Sequence, residues 1–497
     1  MCAEALSVVN FYDEKSILIT GATGGIGKLL IEKLLRSCPN IGNIYVLLRP
    51  KRGETATERV SHLLNIPIFH KLRGADPGIL SKVVMIEGDL CQPDLGISET
   101  NREELMKNVS VVFHCAAILQ FDLSLEDALS INVFGTRRLL LFCHRMNKIE
   151  AFIHVSTLYS TCNKPKIEEC IPSIPALDGR LDFSRNIRDF VATLPDDVVN
   201  DWPNTYAFSK ALAELMLNTH RGMLPMSIVR PSIVLSTLRE PMPGWIDNFY
   251  GPTLSISNGA LGILRTVICD GEKVGDIIPS DFVVNLLITV GCKTKYQGTS
   301  EIKIYNCCTG RQNPMKMKQL LDDCQKYARM YPLMAAVRYP NLTHRSSYFV
   351  HWMVSKVQHR MLSYILDFVA LFTSKRGRMI RIHNTLARIL GSLDYFTLRQ
   401  WAVDDYNVEK LSNEMSDKEK DIFYFDPKVV DWKLYAKIYA LGIRRHLFKE
   451  KMDDIEEAKA RMANLYWMEK SLQIFMSVSS IITIYYWIQS RRNRIKS

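Results

Sequence analysis

The chain has 497 residues, 47% of them hydrophobic and 23% charged, with a formal net charge of +11 at pH 7. It is too long for one simple core, so two domains and an appendage are expected. Twelve scattered cysteines, with no CxxC pair and no Cys/His cluster at metal spacing, exclude a zinc-ribbon framework. The opening "MCAEALSVVNFYDEKS" lacks the basic start and apolar stretch of a secretory signal, so reduced, cytosol-facing thiols are expected rather than disulfides. The positive charge calls for anionic partners. Without zinc-finger spacing or an RNA-recognition signature, nucleic acid gives way to a membrane surface and phosphate-bearing small molecules.

The first element is "KSILITGATGGIGKLLIEKLLRS", a short strand over 16–20, a glycine-rich turn and a helix. Glycines are needed there because a pyrophosphate must lie against bare backbone N–H groups at a helix N-terminus. A second strand, "NIYVLLRP", ends at Arg49, with Lys51 and Arg52 just beyond. An acidic residue there would accept the ribose 2′-hydroxyl of NAD; arginine suits the 2′-phosphate of NADP. The strand "VVMIEGDL" ends in Asp89, whose carboxylate can accept from the adenine amino group. "VSVVFHCAA" follows, and its small Ala116 and Ala117 let a cofactor approach the backbone. Strands alternating with helices at this spacing imply a parallel, doubly wound sheet.

After "INVFGTRRLL", where Asn132 could cap a helix, comes the strand "AFIHVST" and then "PNTYAFSKALAELM". Tyr206 and Lys210 are four apart, on one face of a helix. A phenol near pKa ~10 exchanges protons poorly at neutral pH, and a neighbouring ammonium would bring it toward working range. His114 and His154, in apolar strands, read as satisfied core residues.

The glycine turn, Ser156-Thr157 and Tyr-x-x-x-Lys together resemble the extended short-chain dehydrogenase/reductases. The turn fits the extended spacing through Gly21, Gly24 and Gly27 and the compact spacing through Gly21, Gly25 and Gly27; the large region after Lys210 favours the extended form. The stretches "HVSTLYS", "IVRPSIVLSTLREPMPGWIDNFYGP", "GDIIPSDFVVN", "IYNCCTG", "LDYFTLRQWAVDDYNVEKL" and "DIFYFDPKVVDWKLYAKIYALGIRRHLFKE" resemble, in order, the alcohol-forming fatty acyl-CoA reductases, insect members included. Two departures are Gly25, where that family has an aromatic residue, and Ser280, where it has valine.

The resemblance implies that Tyr206 donates a proton to the substrate oxygen and that Lys210 holds the nicotinamide ribose. Thr157 would hydrogen-bond the same oxygen, with Ser156 the alternative if the register shifts by one, and Asn132 would belong to a proton relay. The cofactor set is Thr20, Gly21, Thr23, Gly24, Gly25, Ile26 and Gly27, then Arg49, Asp89, Leu90, Ala116 and Lys210. NADPH is the expected cofactor, long-chain fatty acyl-CoA the substrate and a primary fatty alcohol the product. No metal is called for.

In the second half, "YFVHWMVSKVQHRMLSYILDFVALFTSKRGR" is dense in apolar residues, but Lys356, His359, Arg360 and Asp367 oppose a membrane span. It reads as a core helix pair, or as a helix that lies in a membrane interface or lines an acyl tunnel. "EKLSNEMSDKEKD" reads as a solvated helix face and Cys307-Cys308 as buried packing. "KEKMDDIEEAKARMANLYW" reads as a charged helical stalk, leading to an uncharged apolar run from Ser471 to Ile488. Tyr485, Tyr486 and Trp487 sit at its end, followed by Arg491, Arg492, Arg494 and Lys496, the pattern of a membrane anchor.

The expected fold class is therefore α/β: a doubly wound parallel Rossmann-type sheet of the extended kind, a mostly helical C-terminal domain and a C-terminal transmembrane helix. The expected boundaries are 14–290 for the reductase domain, 291–345 for a substrate-side extension and 346–378 for the apolar segment. The C-terminal domain covers 379–450, the stalk 451–469, the anchor 470–489 and the basic tail 490–497. The body would face the cytosol from a peroxisomal membrane or, alternatively, the endoplasmic reticulum; a homo-oligomer is compatible with the sequence. Two rivals are a membrane-anchored sterol-type dehydrogenase, which would not need the C-terminal domain, and an idle NADPH-binding scaffold, which would not need the intact Tyr206, Lys210 and Thr157.

Overall fold

The computed structural model describes residues 7–50, 53–361, 364, 367 and 379–496. Lys51 and Arg52, and most of 362–378, lie outside the described residues.

Seven parallel strands form one sheet: β1 (Ser16–Thr20), β2 (Ile44–Leu48), β3 (Val83–Glu87), β4 (Val109–His114), β5 (Ala151–Val155), β6 (Met226–Pro231) and β7 (Lys303–Cys307). They lie in the order β7-β6-β5-β4-β1-β2-β3, so the direction of winding reverses beside β1 and β4. In register, Thr20 at the end of β1 pairs with His114 at the end of β4. Both faces of such a sheet must be covered, because alternate side chains point to opposite sides. Leu18, Val112 and Phe152 join the buried cluster that includes Leu139, Leu140, Leu212 and Leu217. Phe113, one residue along, faces the other way, against the helix Ser280–Tyr296 near Gly291. The sheet is doubly wound.

The chain divides into two compact units. The first comprises Met1–Asp247, Glu272–Lys316 and Ser392–Tyr435. The late segment is held there by side-chain amides: Asn306 donates to the Asp404 carbonyl at 2.7 Å and Asn407 to the Ile304 carbonyl at 2.8 Å. The run read as a solvated helix face is instead part of this attachment. Glu409 pairs with Arg311 and Glu414 with Lys293, and Glu419 accepts from the Val8 N–H at 2.9 Å. Charge alternation on a helix did not distinguish partners in water from partners far along the chain.

The second unit comprises Asn248–Gly271, Met317–Gly391 and Ala436–Ser497. Its small core includes Ala260, Ala328, Leu333, Ala336 and Met462. The helix Ile455–Lys496 runs unbroken through the expected stalk and apolar run. Among the described residues it is the one helix long and apolar enough to cross a membrane, and that apolar stretch is unburied. The described cysteines are all free, and Cys307 and Cys308 are buried.

Candidate active site

The turn after β1 is a glycine cradle. Gly21 has φ +73°, and a Cβ on it would lie 2.6 Å from the Ala116 nitrogen. A Cβ on Gly27 would lie 2.3 Å from the Gly21 carbonyl oxygen, and one on Gly24 would lie 3.3 Å from it. The glycines of the extended spacing, Gly21, Gly24 and Gly27, thus all lie against nearby backbone. Helix α1 (Gly25–Ser37) starts at Gly24 without a side-chain cap, leaving the N–H groups of Gly25, Ile26 and Gly27 to an incoming anion. This backbone fits a dinucleotide pyrophosphate.

Thr20 anchors the cradle from below. Its hydroxyl accepts from the Ala116 N–H at 3.3 Å and donates to His114 Nδ1 at 2.7 Å; His114 Nε2 then donates to Thr136, which donates to the Asn132 carbonyl. Burial and the nearby Lys210 charge push His114 down to about 3, which keeps it neutral in this chain. His114 is a satisfied core histidine; His154, equally buried, finds no hydrogen-bond partner in the structure.

Just past β2, the Arg49 carbonyl accepts from Arg59, which also donates to the Thr23 hydroxyl at 3.2 Å. Arg59 went unread in the sequence because it lies on the helix Ala56–Asn65, a turn beyond the strand end where such a residue is sought. Asp89 Oδ1 accepts from the Cys91 N–H at 2.9 Å, and Leu90 packs its side chain on Gly135.

Helix α2 (Thr205–His220) begins at Asn204, whose side chain accepts from the Ala207 N–H at 2.9 Å. Tyr206, Lys210 and Glu214 follow at spacings of four and face three successive residues at the end of β5, Val155 to Thr157. Lys210 Nζ donates to the Val155 carbonyl at 2.7 Å. Glu214 accepts the Ser156 hydroxyl at 2.5 Å, and Thr157 lies near enough to Tyr206 to act on its phenol. Glu214 also forms a fully buried ion pair with Arg230, 2.5 Å away, which donates in turn to the Glu168 and Cys170 carbonyls. A buried charge has to be paired in this way.

The electrostatics differ from the expectation. Burial pushes the Tyr206 phenol up to about 12, against a smaller downward effect of Thr157. The Lys210 ammonium donates to Val155, and its charge acts on His114 and Cys115 rather than on Tyr206. Burial instead brings Lys210 itself down to about 8, opposed by Glu214 and Cys115. Tyr206 is thus a neutral phenol near pH 7, and burial makes it a weaker acid than a free one.

Asn132 is not a helix cap. The cap is Ser124, and Asn132 lies in a π-helical turn, Ser130–Gly135, within the helical run 125–143. Such turns often mark functional positions. The Asn132 side chain accepts from the Ile118 N–H at 2.9 Å and donates to the Ser209 hydroxyl at 2.9 Å. Beside Tyr206 stands an aromatic wall. Phe121 is 5.6 Å from the Tyr206 ring and 5.9 Å from Phe396; Tyr159 contacts Phe396 at 5.0 Å and Trp401 at 5.5 Å. Phe396 and Trp401 come from the late segment, almost two hundred residues after Tyr206, and nothing local announces their place.

A family model described as "Male sterility protein", an NAD-binding model, matches residues 19–287, and a second with the same description, "Sterile", matches residues 358–450. "Fatty acyl-CoA reductase 2" of Bos taurus is 36% identical over 466 residues, covering 93% of this chain and 90% of that protein. "Fatty acyl-CoA reductase 2" of Homo sapiens is 37% identical over 461 residues, covering 92% of this chain and 90% of that protein. The chain belongs to the fatty acyl-CoA reductase family. Its first half is accordingly a nicotinamide-dinucleotide-binding domain. Among solved structures, the terminal R domain of the myxalamid PKS-NRPS pathway matches with a TM-score of 0.57, 21% identity and coverage of 88% of this chain and 92% of that one. At that identity the likeness speaks for the fold alone.

Proposed function

We propose that the chain reduces a long-chain fatty acyl-CoA to the primary fatty alcohol and free CoA, consuming two NADPH. The balance is one thioester, two NADPH and two protons giving one alcohol, one CoA thiol and two NADP⁺. The observation that carries the reading is the placement of Tyr206 beside Thr157 and against the aromatic wall. When bound, the dinucleotide supplies hydride.

The chain's own residues do the rest. The glycine cradle holds the pyrophosphate, and Arg49 with Arg59 meets the 2′-phosphate that distinguishes NADPH. Asp89 and Leu90 take the adenine end, and Lys210 holds the nicotinamide ribose. Thr157 and Tyr206 hydrogen-bond the substrate oxygen. They stabilise the hemithioacetal oxyanion until CoA leaves. They then stabilise the alkoxide of the bound aldehyde, which Tyr206 protonates. The Ser156 hydroxyl, committed to Glu214, supports Thr157 as the active group. Phe121 and Phe396 offer apolar surface to the acyl carbons nearest the reaction.

The apolar stretch Ser471–Ile488 reads as an anchor that keeps the body on the cytosolic side of a membrane, where lipophilic substrate and product concentrate. The basic tail favours the peroxisomal membrane over the endoplasmic reticulum, which fluorescence co-localisation of the full chain tests. The activity is tested with membranes carrying the full chain, given NADPH and acyl-CoAs of graded length. Two NADPH oxidised per CoA released, with fatty alcohol as product, is expected. One NADPH with aldehyde would halve the reaction, and no acyl-CoA turnover despite NADPH binding would overturn it.

A further inference from the structure

The helix α3 (Tyr348–Ser355), with the π-helical turn Lys356–Met361 that continues it, is built inside out. A helix on a water-facing surface turns its apolar side inward. Here the inward positions are polar. His351 Nδ1 lies 3.2 Å from the Thr266 hydroxyl, and His359 Nε2 accepts from the Arg265 N–H at 2.7 Å. Ser355, between them, lies 3.3 Å from His359 Nδ1. The outward positions are Phe349, Trp352, Met353 and Val357, exposed by 67%, 54%, 49% and 52%. Phe349 and Trp352 stack at 6.4 Å, and Lys356 holds its ammonium 4.9 Å over the Trp352 ring. Arg360 is exposed beside them. Over residues 348–361, then, the face turned outward is not that of an ordinary core helix; the rest of the expected helix pair lies mostly outside the described residues.

Its position in the second unit identifies what covers it. Arg265, whose N–H meets His359, also ion-pairs through its guanidinium with Glu469. Arg338 donates to the Gln358 carbonyl at 3.2 Å and approaches Glu469 to 3.8 Å. Tyr339 packs on Tyr466 at 5.0 Å. The inside-out helix and the long C-terminal helix are thus joined through two arginines at Glu469, two residues before the apolar stretch begins. Aromatic rings with adjacent lysine and arginine are the side chains that settle at a lipid headgroup boundary.

We propose that the face formed by Phe349, Trp352, Met353 and Val357 inserts into the headgroup region of the same membrane that holds the C-terminal anchor. Lys356 and Arg360 then meet anionic headgroups. The second unit is fixed on the bilayer at two points and does not swing on a tether. This rests on the anchor reading of Ser471–Ile488.

The test uses the full chain in phosphatidylcholine/phosphatidylserine vesicles that carry a phospholipid with a photoactivatable group near the headgroup. After irradiation and digestion, mass spectrometry locates lipid adducts. Adducts on the peptide spanning Phe349–Val357, as well as on the C-terminal apolar stretch, are expected. The double substitution Phe349→Glu and Trp352→Glu, on exposed side chains, should lose the first and keep the second. Adducts on the C-terminal stretch alone, or crosslinks from Phe349–Val357 to another copy of the chain, would overturn the proposal and leave the anchor standing. No adducts on the C-terminal stretch would overturn the anchor, and the proposal with it.

Discussion

Ser156 gives its hydroxyl to Glu214 2.5 Å away, while Thr157, the next residue, acts on the Tyr206 phenol. Two adjacent hydroxyls thus have different duties. Thr157→Val should lower kcat by about a hundredfold, the scale for removing one donor to a developing oxyanion. Ser156→Ala should leave kcat near its original value. Its cost falls on stability, about 1–3 kcal/mol in a denaturant titration, since Glu214 loses a buried partner. The reverse pattern would make Ser156 the active hydroxyl.

The glycine cradle predicts a graded response. Gly27→Ala puts a Cβ 2.3 Å from backbone, and Gly24→Ala puts one at 3.3 Å, where a small shift relieves it. NADPH affinity, measured by calorimetric titration, should be largely lost in the first and modestly reduced in the second. Equal loss in both would mean that the helix start, not the close approach, governs binding.

Arg59 should contribute to cofactor choice. Charge-assisted contacts to a phosphate are worth roughly 1.5–3 kcal/mol, so Arg59→Ala should weaken NADPH binding by about 10- to 100-fold. NADH, which has no 2′-phosphate, should bind as before. An equal loss for both cofactors would assign Arg59 to holding the turn through Thr23 and the Arg49 carbonyl.

The pH dependence follows from Lys210, which burial brings down to about 8 in the folded chain. The folded state releases this proton before the unfolded chain does, so its contribution to stability rises as pH climbs from about 8 to the ordinary lysine range. Affinity for the anionic cofactor moves the opposite way, because the ammonium is lost over the same window. Titrations from neutral pH to about one unit above 8 should show NADPH binding weaken in the parent chain and stay flat in Lys210→Met. Tyr206, pushed up to about 12, remains protonated throughout.

Much of this could be read from residue order because the relevant contacts are local. The cradle is a strand, a turn and a helix start in succession, and Tyr206 and Lys210 share a face by helical geometry alone; Glu214, on the same face, went unread. What escaped the sequence depends on contacts between distant segments. Arg230 neutralises Glu214 from the neighbouring strand, and Phe396 reaches the Phe121 ring from a segment that returns to the sheet long after it is complete. The Tyr206 shift differs from the expectation because burial, which residue order does not show, outweighs any lowering influence on the phenol. Asn132 looked like a cap because a π-helical turn has no sequence signature of its own.

The central claim is that Tyr206 delivers the proton to the substrate oxygen. Tyr206→Phe removes that proton and leaves the ring beside Phe121, so fold and cofactor cradle should persist. Single-turnover measurement with preformed NADPH complex and a long-chain acyl-CoA should show NADPH bound as tightly as in the parent chain and its oxidation slowed by at least about a hundredfold. Retention of most of the rate, with NADPH binding intact, would contradict the account.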